Sequence, residues 1–222
     1  MLINKILLLA IISCSNLLPG SETENSKKHR SLLHQLNVDS GSTLNVQWNA
    51  ATNTPELMTG RLTSPTKHSP GWISYAFLNK VKSLYGLKRV NEDMKIINID
   101  NNDDPTYFKV YLQRLLFQKP VCGEQLVITI DRSGVVLRVE GSLHSDLEKK
   151  RLGRPMYPAV TQEKAIKIAS TYVSLHSWKL ASVQSCYLPA REGVPLIHMV
   201  TFNQMNDSIT LKIHSLTGRL VE

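Results

Sequence analysis

The sequence lacks the patterns by which most enzymes are recognised. Its seven histidines form no His-Glu-x-x-His pair, and it contains neither a Gly-rich phosphate loop nor a Gly-x-Ser-x-Gly elbow. The acidic cluster Asp100, Asp103 and Asp104 lacks the glycine and the distant glutamate of an EF-hand calcium loop. We therefore predict that the chain is not an enzyme, has no catalytic or metal-binding residues and needs no cofactor.

Aromatic residues are few and positive charge is spread out. Aromatic side chains make up 6% of the chain, and its formal net charge is +8. Lysine and arginine are scattered along the sequence, whereas nucleic-acid-binding proteins gather them on one face, often beside exposed aromatics. The sequence thus predicts no nucleic-acid partner, and we expect a monomer.

No apolar run is long enough to span a bilayer, but the first residues have the layout of an export signal. Lys5 precedes the apolar run Ile6 to Ile12, and small and polar residues follow. We assign residues 1–20 to a signal peptide. The predicted location is therefore secreted or otherwise extracytoplasmic.

The end of this apolar run also resembles a bacterial lipobox. Ile11, Ile12 and Ser13 precede Cys14, whose thiol is a candidate lipid attachment site. Such a lipid would be the protein's contact with a membrane and would anchor it to the cell envelope. Ordinary cleavage further along, near Gly20, is the alternative.

The other two cysteines, Cys122 and Cys186, match no zinc-binding spacing. An oxidising compartment permits a disulfide between them. Because Cys122 lies inside a β pattern, we predict instead two buried thiols that behave as small apolar side chains.

The hydrophobic pattern predicts two α+β units in series, each a helix packed on an antiparallel sheet. Residues 21–42 are polar and predict a flexible linker, with at most a short helix around Leu32 to Leu36. The first unit, residues 43–150, contains a helix with apolar residues at helical spacing, and six β runs. The helix contains Ile73, Phe77, Val81 and Leu84, and the runs are Leu44–Trp48, Met58–Leu62, Lys95–Ile99, Thr106–Phe117, Glu124–Asp131 and Val135–Glu140.

The charged, Pro-punctuated stretch that starts at Asp146 marks the boundary before the second unit, residues 155–222. Thr161 is a predicted N-cap for a helix with Ala165, Ile166, Ala169, Tyr172 and Val173 on its apolar face. Three further strands are predicted after it: Trp178–Leu188, Pro195–Asn203 and Ser208–His214.

The stretch YLQRLLFQKPVCGEQLVITIDRSGVVLRVEG, followed by PAVTQEKAIKIA, resembles the propeptide of thermolysin-like zinc metalloproteases. Upstream, VQWNAATNTPELMTGRL and AFLNKVKSLYGL resemble the start of the same propeptides. Downstream, WKLASVQSCYLPAREGVPLIHMVTF and SLTGRLVE resemble the PepSY domain that closes them. The resemblance implies a cystatin-like fungalysin/thermolysin propeptide (FTP) domain followed by a PepSY-like domain. The chain departs from the family pattern at Gln118, where a glycine is usual, and at Thr129, where a histidine is usual.

The central motif, which comprises the Pro-Val-Cys-Gly segment at residues 120–123 and the turn glycine at 134, can be explained by the structural preferences of its residues. Pro120 suits a strand start, where a missing N–H is harmless, and Val121 follows it. Gly123 permits a bulge, and Gly134 suits the positive φ of a tight turn. The motif therefore predicts a strand start, a bulge and a turn, and it predicts no catalytic role.

The resemblance extends to Glu222, where the family's M4-type catalytic domain would begin. It implies a free-standing propeptide that acts as an inhibitor or folding chaperone of a thermolysin-like metalloprotease by non-covalent binding. Leu220 and Val221 are then candidate partner-binding residues, with packing of a final strand as the alternative. Two other interpretations stay open: a separated proregion of a metalloprotease precursor, and an envelope lipoprotein that binds peptides or an exported protein through its PepSY-like domain.

Overall fold

The computed structural model describes residues 24–100, 106–173 and 177–221, and it is an α+β fold. The described residues of the first half form four α-helical segments and six strands. They are α1 (Glu24–Asp39), β1 (Asn45–Asn49), β2 (Thr54–Thr59), α2 (Pro70–Val81), α3 (Val90–Asp93), β3 (Met94–Asp100), β4 (Tyr107–Leu116), β5 (Lys119–Asp131), β6 (Val136–Glu140) and α4 (Leu147–Lys150).

The predicted first helix is confirmed as α2 and a 3-10 turn that continues it. Ser69 caps its start by accepting a hydrogen bond from the Trp72 amide, and Pro70 occupies the first turn, where its missing N–H costs nothing. The buried face of α2 packs on the sheet, and its buried apolar residues are Ile73, Phe77, Leu78 and Val81. Gly86 ends the 3-10 turn with a φ of 63°.

The first sheet has the order β1-β2-β6-β5-β4-β3 and is antiparallel throughout. The β5–β6 connection is the predicted turn. The carboxylate of Asp131 accepts hydrogen bonds from the amides of Ser133 and Val135, each at 2.9 Å. Gly134 has a φ of 84°, and a Cβ there would lie 2.0 Å from the Thr66 carbonyl oxygen, so only glycine fits.

The flexible-linker prediction is wrong for residues 24–39, which form α1. Leu36 is fully buried, with Leu32 and Leu33 packed against the same core. The Asp39 carboxylate lies 2.7 Å from the Lys80 ammonium at the end of α2. Three leucines on one helix face are enough to dock a helix whose other faces are polar, and a low mean hydropathy conceals that narrow stripe.

Within residues 155–173 and 177–221 there are one helix and four strands: α5 (Gln162–Ser170), β7 (Lys179–Tyr187), β8 (Leu196–Gln204), β9 (Asp207–His214) and β10 (Leu220–Val221). Thr161 caps α5 as predicted, accepting from the Lys164 amide. Ala165 and Ala169 are buried against β8 and β9. The helix ends at Ser170, so the prediction for Tyr172 is wrong: it lies beyond the helix and is 57% exposed.

Within the described residues, one residue pair forms the backbone ladder between the two sheets. Strand β7 begins a second antiparallel sheet, β7-β8-β9-β10, and its last residue, Tyr187, pairs in parallel with Val121 of β5. The division into domains at 43–150 and 155–222 stays a prediction. Each sheet has its own buried core, and a third, smaller core lies where they meet.

Candidate functional site

The central motif forms a large bulge at the start of β5. In the β4–β5 ladder Gln113 pairs with Gln125 and Leu115 pairs with Pro120. The four residues Val121–Glu124 therefore lie opposite the single residue Arg114. Gly123 has a φ of 73°, a conformation that glycine adopts without strain, and space around its Cα is open.

Gln113 closes this bulge with its side-chain amide. Its Nε2 atom lies 2.9 Å from the carbonyl oxygens of Val121 and Glu124 and 3.0 Å from that of Arg114. A bulge turns carbonyl groups out of the ladder, and each unpaired buried carbonyl would cost free energy. The glutamine in the YLQR segment is thus a structural partner of the Pro-Val-Cys-Gly segment that follows it.

The bulge directs Cys122 toward the second sheet, where it forms a disulfide with Cys186. The Cα atoms of the two cysteines are 5.2 Å apart. The prediction of two buried thiols is therefore wrong. Each cysteine adjoins one member of the Val121–Tyr187 pair, and this proximity could not be predicted for residues 64 positions apart.

A small apolar core surrounds the disulfide-linked joint. Tyr187 is fully buried in it, and its hydroxyl accepts a hydrogen bond from the Met156 amide at 2.9 Å. The ring of Phe117 packs edge-on against Tyr187, with centroids 6.2 Å apart. The joint therefore combines covalent, ladder and apolar contacts. The other buried members of this core are Leu116, Val121, Leu147, Val194 and Leu196.

Charged side chains are buried beside the joint. Glu124, the last residue of the bulge, accepts hydrogen bonds on Oε1 from the His144 amide at 2.8 Å, and His144 Nδ1 lies 2.6 Å from the same oxygen. The Arg114 guanidinium lies 3.5 Å from the Asp93 carboxylate. Burial raises the pKa of Glu124 in spite of the neighbouring His144 and Arg114. Glu124 and Arg114 are both buried, so this cluster faces the interior.

The uncovered face of the first sheet carries a shallow polar groove of about 460 Å³. Gly123 and Gln125 lie on one side of it, and the Arg138–Glu140 ion pair, at 2.8 Å, on another. Such a surface suits contact with a polar partner and offers no enclosed cavity for a small substrate.

The proposed partner-binding residues lie at the far edge of the second sheet. Leu220 and Val221 form β10 and pair with Ile213 and Lys212 of β9. Leu220 remains 40% exposed. Because β7, β8 and β9 separate β10 from β5, the fold does not bring these residues together with Pro120, Val121 and Gly123. Cys14 lies outside the described residues.

One polar contact escaped sequence reasoning: Ser185 and His198, on β7 and β8, lie side by side. The His198 Nε2–H donates to the Val160 carbonyl at 2.8 Å, so in the neutral ring Nδ1 accepts from the Ser185 hydroxyl, at 2.9 Å. Gln162 Nε2 donates to the same hydroxyl at 3.0 Å. His198 is 2% exposed, and these bonds tie the start of α5 to the sheet. Only the strand register brings the pair together, so no local sequence signal reveals it.

Within the described ranges, no three histidine, cysteine or acidic side chains come together as a metal-binding group. In the same part of the chain, every helix is too short or too polar to cross a bilayer.

Comparisons with known proteins give little similarity. No family model matches the sequence, and no curated protein matches it significantly. Among solved structures, the chain is similar to the Bacillus megaterium YpeB C-terminal domain, at 11% identity and a TM-score of 0.41, over 88% of this chain and 95% of that one.

Proposed function

We propose that the protein is an exported propeptide-like protein that inhibits a thermolysin-like metalloprotease, assists its folding, or does both, by non-covalent binding. The observation that carries the proposal is the order of the motif residues along the chain. Gln113, Pro120, Gly123, Gly134 and Gly218 occur in the order of the propeptide family.

The arrangement of these residues supports a binding role. Gln113 closes a bulge and Gly134 makes a turn, so the motif residues hold surfaces in place. The disulfide at Cys122 ties the two sheets together. A partner that contacts both sheets would then meet a surface already ordered before binding, which lowers the entropic cost of association.

Inhibition in trans requires an interface on the order of 1,600 Å² with a few buried anchors. Leu220 is one candidate anchor, and Leu216, in the turn just before β10, is 44% exposed beside it. The net charge of +8 favours a partner with an acidic surface and speeds the encounter with it.

The test is a titration of the full exported chain into an active thermolysin-like metalloprotease from the same organism, following peptide hydrolysis and the intactness of the added protein. We expect dose-dependent loss of activity with the chain uncleaved. A Leu220→Asp and Val221→Asp double variant should weaken inhibition at least about tenfold, as expected for a central anchor. The matched control is Leu152→Asp, at a residue 80% exposed on the connection between the sheets.

Unchanged activity across several such proteases, with the chain folded, would overturn the inhibitor role. If refolding of the denatured protease were also unaffected by the chain, the chaperone role would fall as well. Mass spectrometry that found a diacylglycerol on Cys14 would then favour the envelope lipoprotein. A protease coding sequence continuous with this one would favour the separated proregion.

A further inference from the structure

Strand β7 has a complete hydrogen-bonded neighbour on one side only. Strand β8 pairs with it from Lys179 to Tyr187. On the other side, within residues 24–100, 106–173 and 177–221, the ladder contains the single pair Tyr187–Val121. Cys186 is flanked by its disulfide partner Cys122 of β5, at a Cα–Cα distance of 5.2 Å. Among the described residues, the outer edge of β7 from Lys179 to Ser185 is therefore unpaired, over about 23 Å at roughly 3.3 Å per residue.

One of the two edge strands of the first sheet, β3, is covered differently. There the Tyr75 hydroxyl donates to the Met94 carbonyl at 3.2 Å and accepts from the Ile96 amide at 3.4 Å. A side chain from α2 thus occupies backbone groups that another strand would need, which is one way in which proteins protect an edge. Strand β10 is only two residues long. Strand β7 is therefore the long edge that the second sheet offers.

Helix α5 and β7 form a groove along this edge. Gln162, at the start of α5, donates to Ser185 of β7 at 3.0 Å, and Ile166 lies on the same helix face one turn later. Leu180 and Val183 lie on the helix-covered face of the strand, because they pair with the core residues Phe202 and Val200. Leu180 is 47% exposed, and Val183 and Ile166 are half-buried. The groove therefore joins unpaired backbone to apolar side chains.

We propose that this groove binds an extended segment of a partner polypeptide, which adds to the second sheet as a further strand beside β7. Its backbone would pair with Lys179–Ser185, and an apolar side chain would cover Leu180, as in other cases of strand addition between an edge strand and a helix. The parallel pair of Val121 with Tyr187 shows that this edge already accepts a strand at one end.

Charge selects the kind of partner. The chain has a net charge of +8, and Lys179 lies at the start of the open edge. Two copies of the chain repel each other, whereas a segment with acidic residues is attracted. The occupant is therefore an acidic, β-forming segment of another protein. This inference does not rest on the proposed metalloprotease partner.

The test uses the full exported chain and two synthetic heptapeptides, Ac-Glu-Val-Thr-Val-Thr-Val-Glu-NH2 and its counterpart with both glutamates replaced by lysine. Hydrogen–deuterium exchange should show amides of residues 179–185 slowed at least about fivefold by the acidic peptide, with β3 and β10 unchanged. An acidic peptide N-methylated at every internal residue, which has no amide hydrogen for a ladder on either edge, should have no effect.

Leu180→Glu should weaken binding about tenfold, through lost apolar contact and added repulsion. The matched control is Ile99→Glu, at a residue of similar exposure, 44%, on β3 and outside the groove. Absence of protection in β7 would overturn the proposal, and equal binding of the two peptides would overturn the acidic partner. A third outcome also overturns the proposal. If the β7 amides are protected in the absence of peptide, and this protection increases with the fraction of dimer, then a second copy of the chain is the occupant.

Discussion

The side-chain amide of Gln113 lies 2.9 Å from the carbonyl oxygen of Val121, across the bulge that aims Cys122 at the second sheet. A polar side chain on β4 thus holds the geometry on which the disulfide depends.

Replacement of Gln113 by alanine should destabilise the fold by about 2 kcal/mol, because three carbonyl groups lose their donor. Chemical denaturation of the oxidised protein measures this change. Gln125→Ala is the control, since the Gln125 amide makes a single 3.2 Å bond to Gln113 and the residue is exposed. Equal effects of the two substitutions would show that the bulge does not need the Gln113 amide.

Replacement of Gln118 by glycine should stabilise the fold by up to about 1 kcal/mol. Gln118 has a φ of 65° in the turn between β4 and β5, and glycine adopts this conformation without the Cβ clash. Part of the gain is offset by the greater freedom of glycine in the unfolded chain. Thermal unfolding compares this variant with Lys119→Gly in the following strand, which should be less stable than the natural protein. A loss of stability in Gln118→Gly would contradict the argument.

Two buried tyrosines should respond in opposite directions to loss of their hydroxyls. The Tyr85 hydroxyl is buried with no hydrogen-bond partner among the described residues, so Tyr85→Phe should be neutral or stabilising by about 1 kcal/mol. The Tyr187 hydroxyl accepts from the Met156 amide, so Tyr187→Phe should cost about 1 to 2 kcal/mol. Denaturant titration of both variants checks the pair, and the same sign for both would contradict it.

Glu124 should make the fold less stable as pH rises. Burial raises its folded-state pKa above the ordinary value of 4.5, so the folded chain keeps a proton that the unfolded chain has lost. Its contribution to stability is full below that ordinary value and is lost as pH rises through the folded pKa. Free energies of unfolding measured from about pH 4 to about pH 8 should show that, as pH rises, the natural protein loses stability relative to the Glu124→Gln variant. A difference independent of pH would contradict this sign.

Reduction of the disulfide should lower the free energy of unfolding by about 4 kcal/mol, from the entropy of closing a loop of this length in the unfolded chain. The cysteines are 64 positions apart. Denaturation with and without a phosphine reductant measures the change, and a Cys122→Ser, Cys186→Ser variant should match the reduced protein and be insensitive to reductant. Two titratable thiols in the untreated protein would refute the disulfide.

Local patterns predicted much of the fold. The stripe through Ile73, Phe77 and Val81 identified α2, and the Asp131–Gly134 sequence identified the β5–β6 turn, because side-chain spacing and turn chemistry are properties of neighbouring residues. For α1 the sequence indicated at most a short helix around Leu32 to Leu36, because docking of the full helix depends on a core built from later residues.

The joint between the sheets and the Ser185–His198 contact likewise depend on residues that are distant in the sequence, so local patterns could not predict them. Both depend on strand pairings, Val121 with Tyr187 and Ser185 with His198, that bring distant residues together. The role of Gln113 was hidden as well, since the register shift that creates the bulge follows from the β4–β5 ladder and not from the local sequence.

The disulfide also determines what a single backbone cleavage can do to the molecule. The connection between the sheets presents Leu152 and Tyr157, which are 80% and 78% exposed and make it accessible to proteases. A cut there falls between Cys122 and Cys186, so the two pieces stay linked through sulfur. In a compartment rich in proteases, the protein would be nicked without being divided, and its fragments would separate only under reducing conditions.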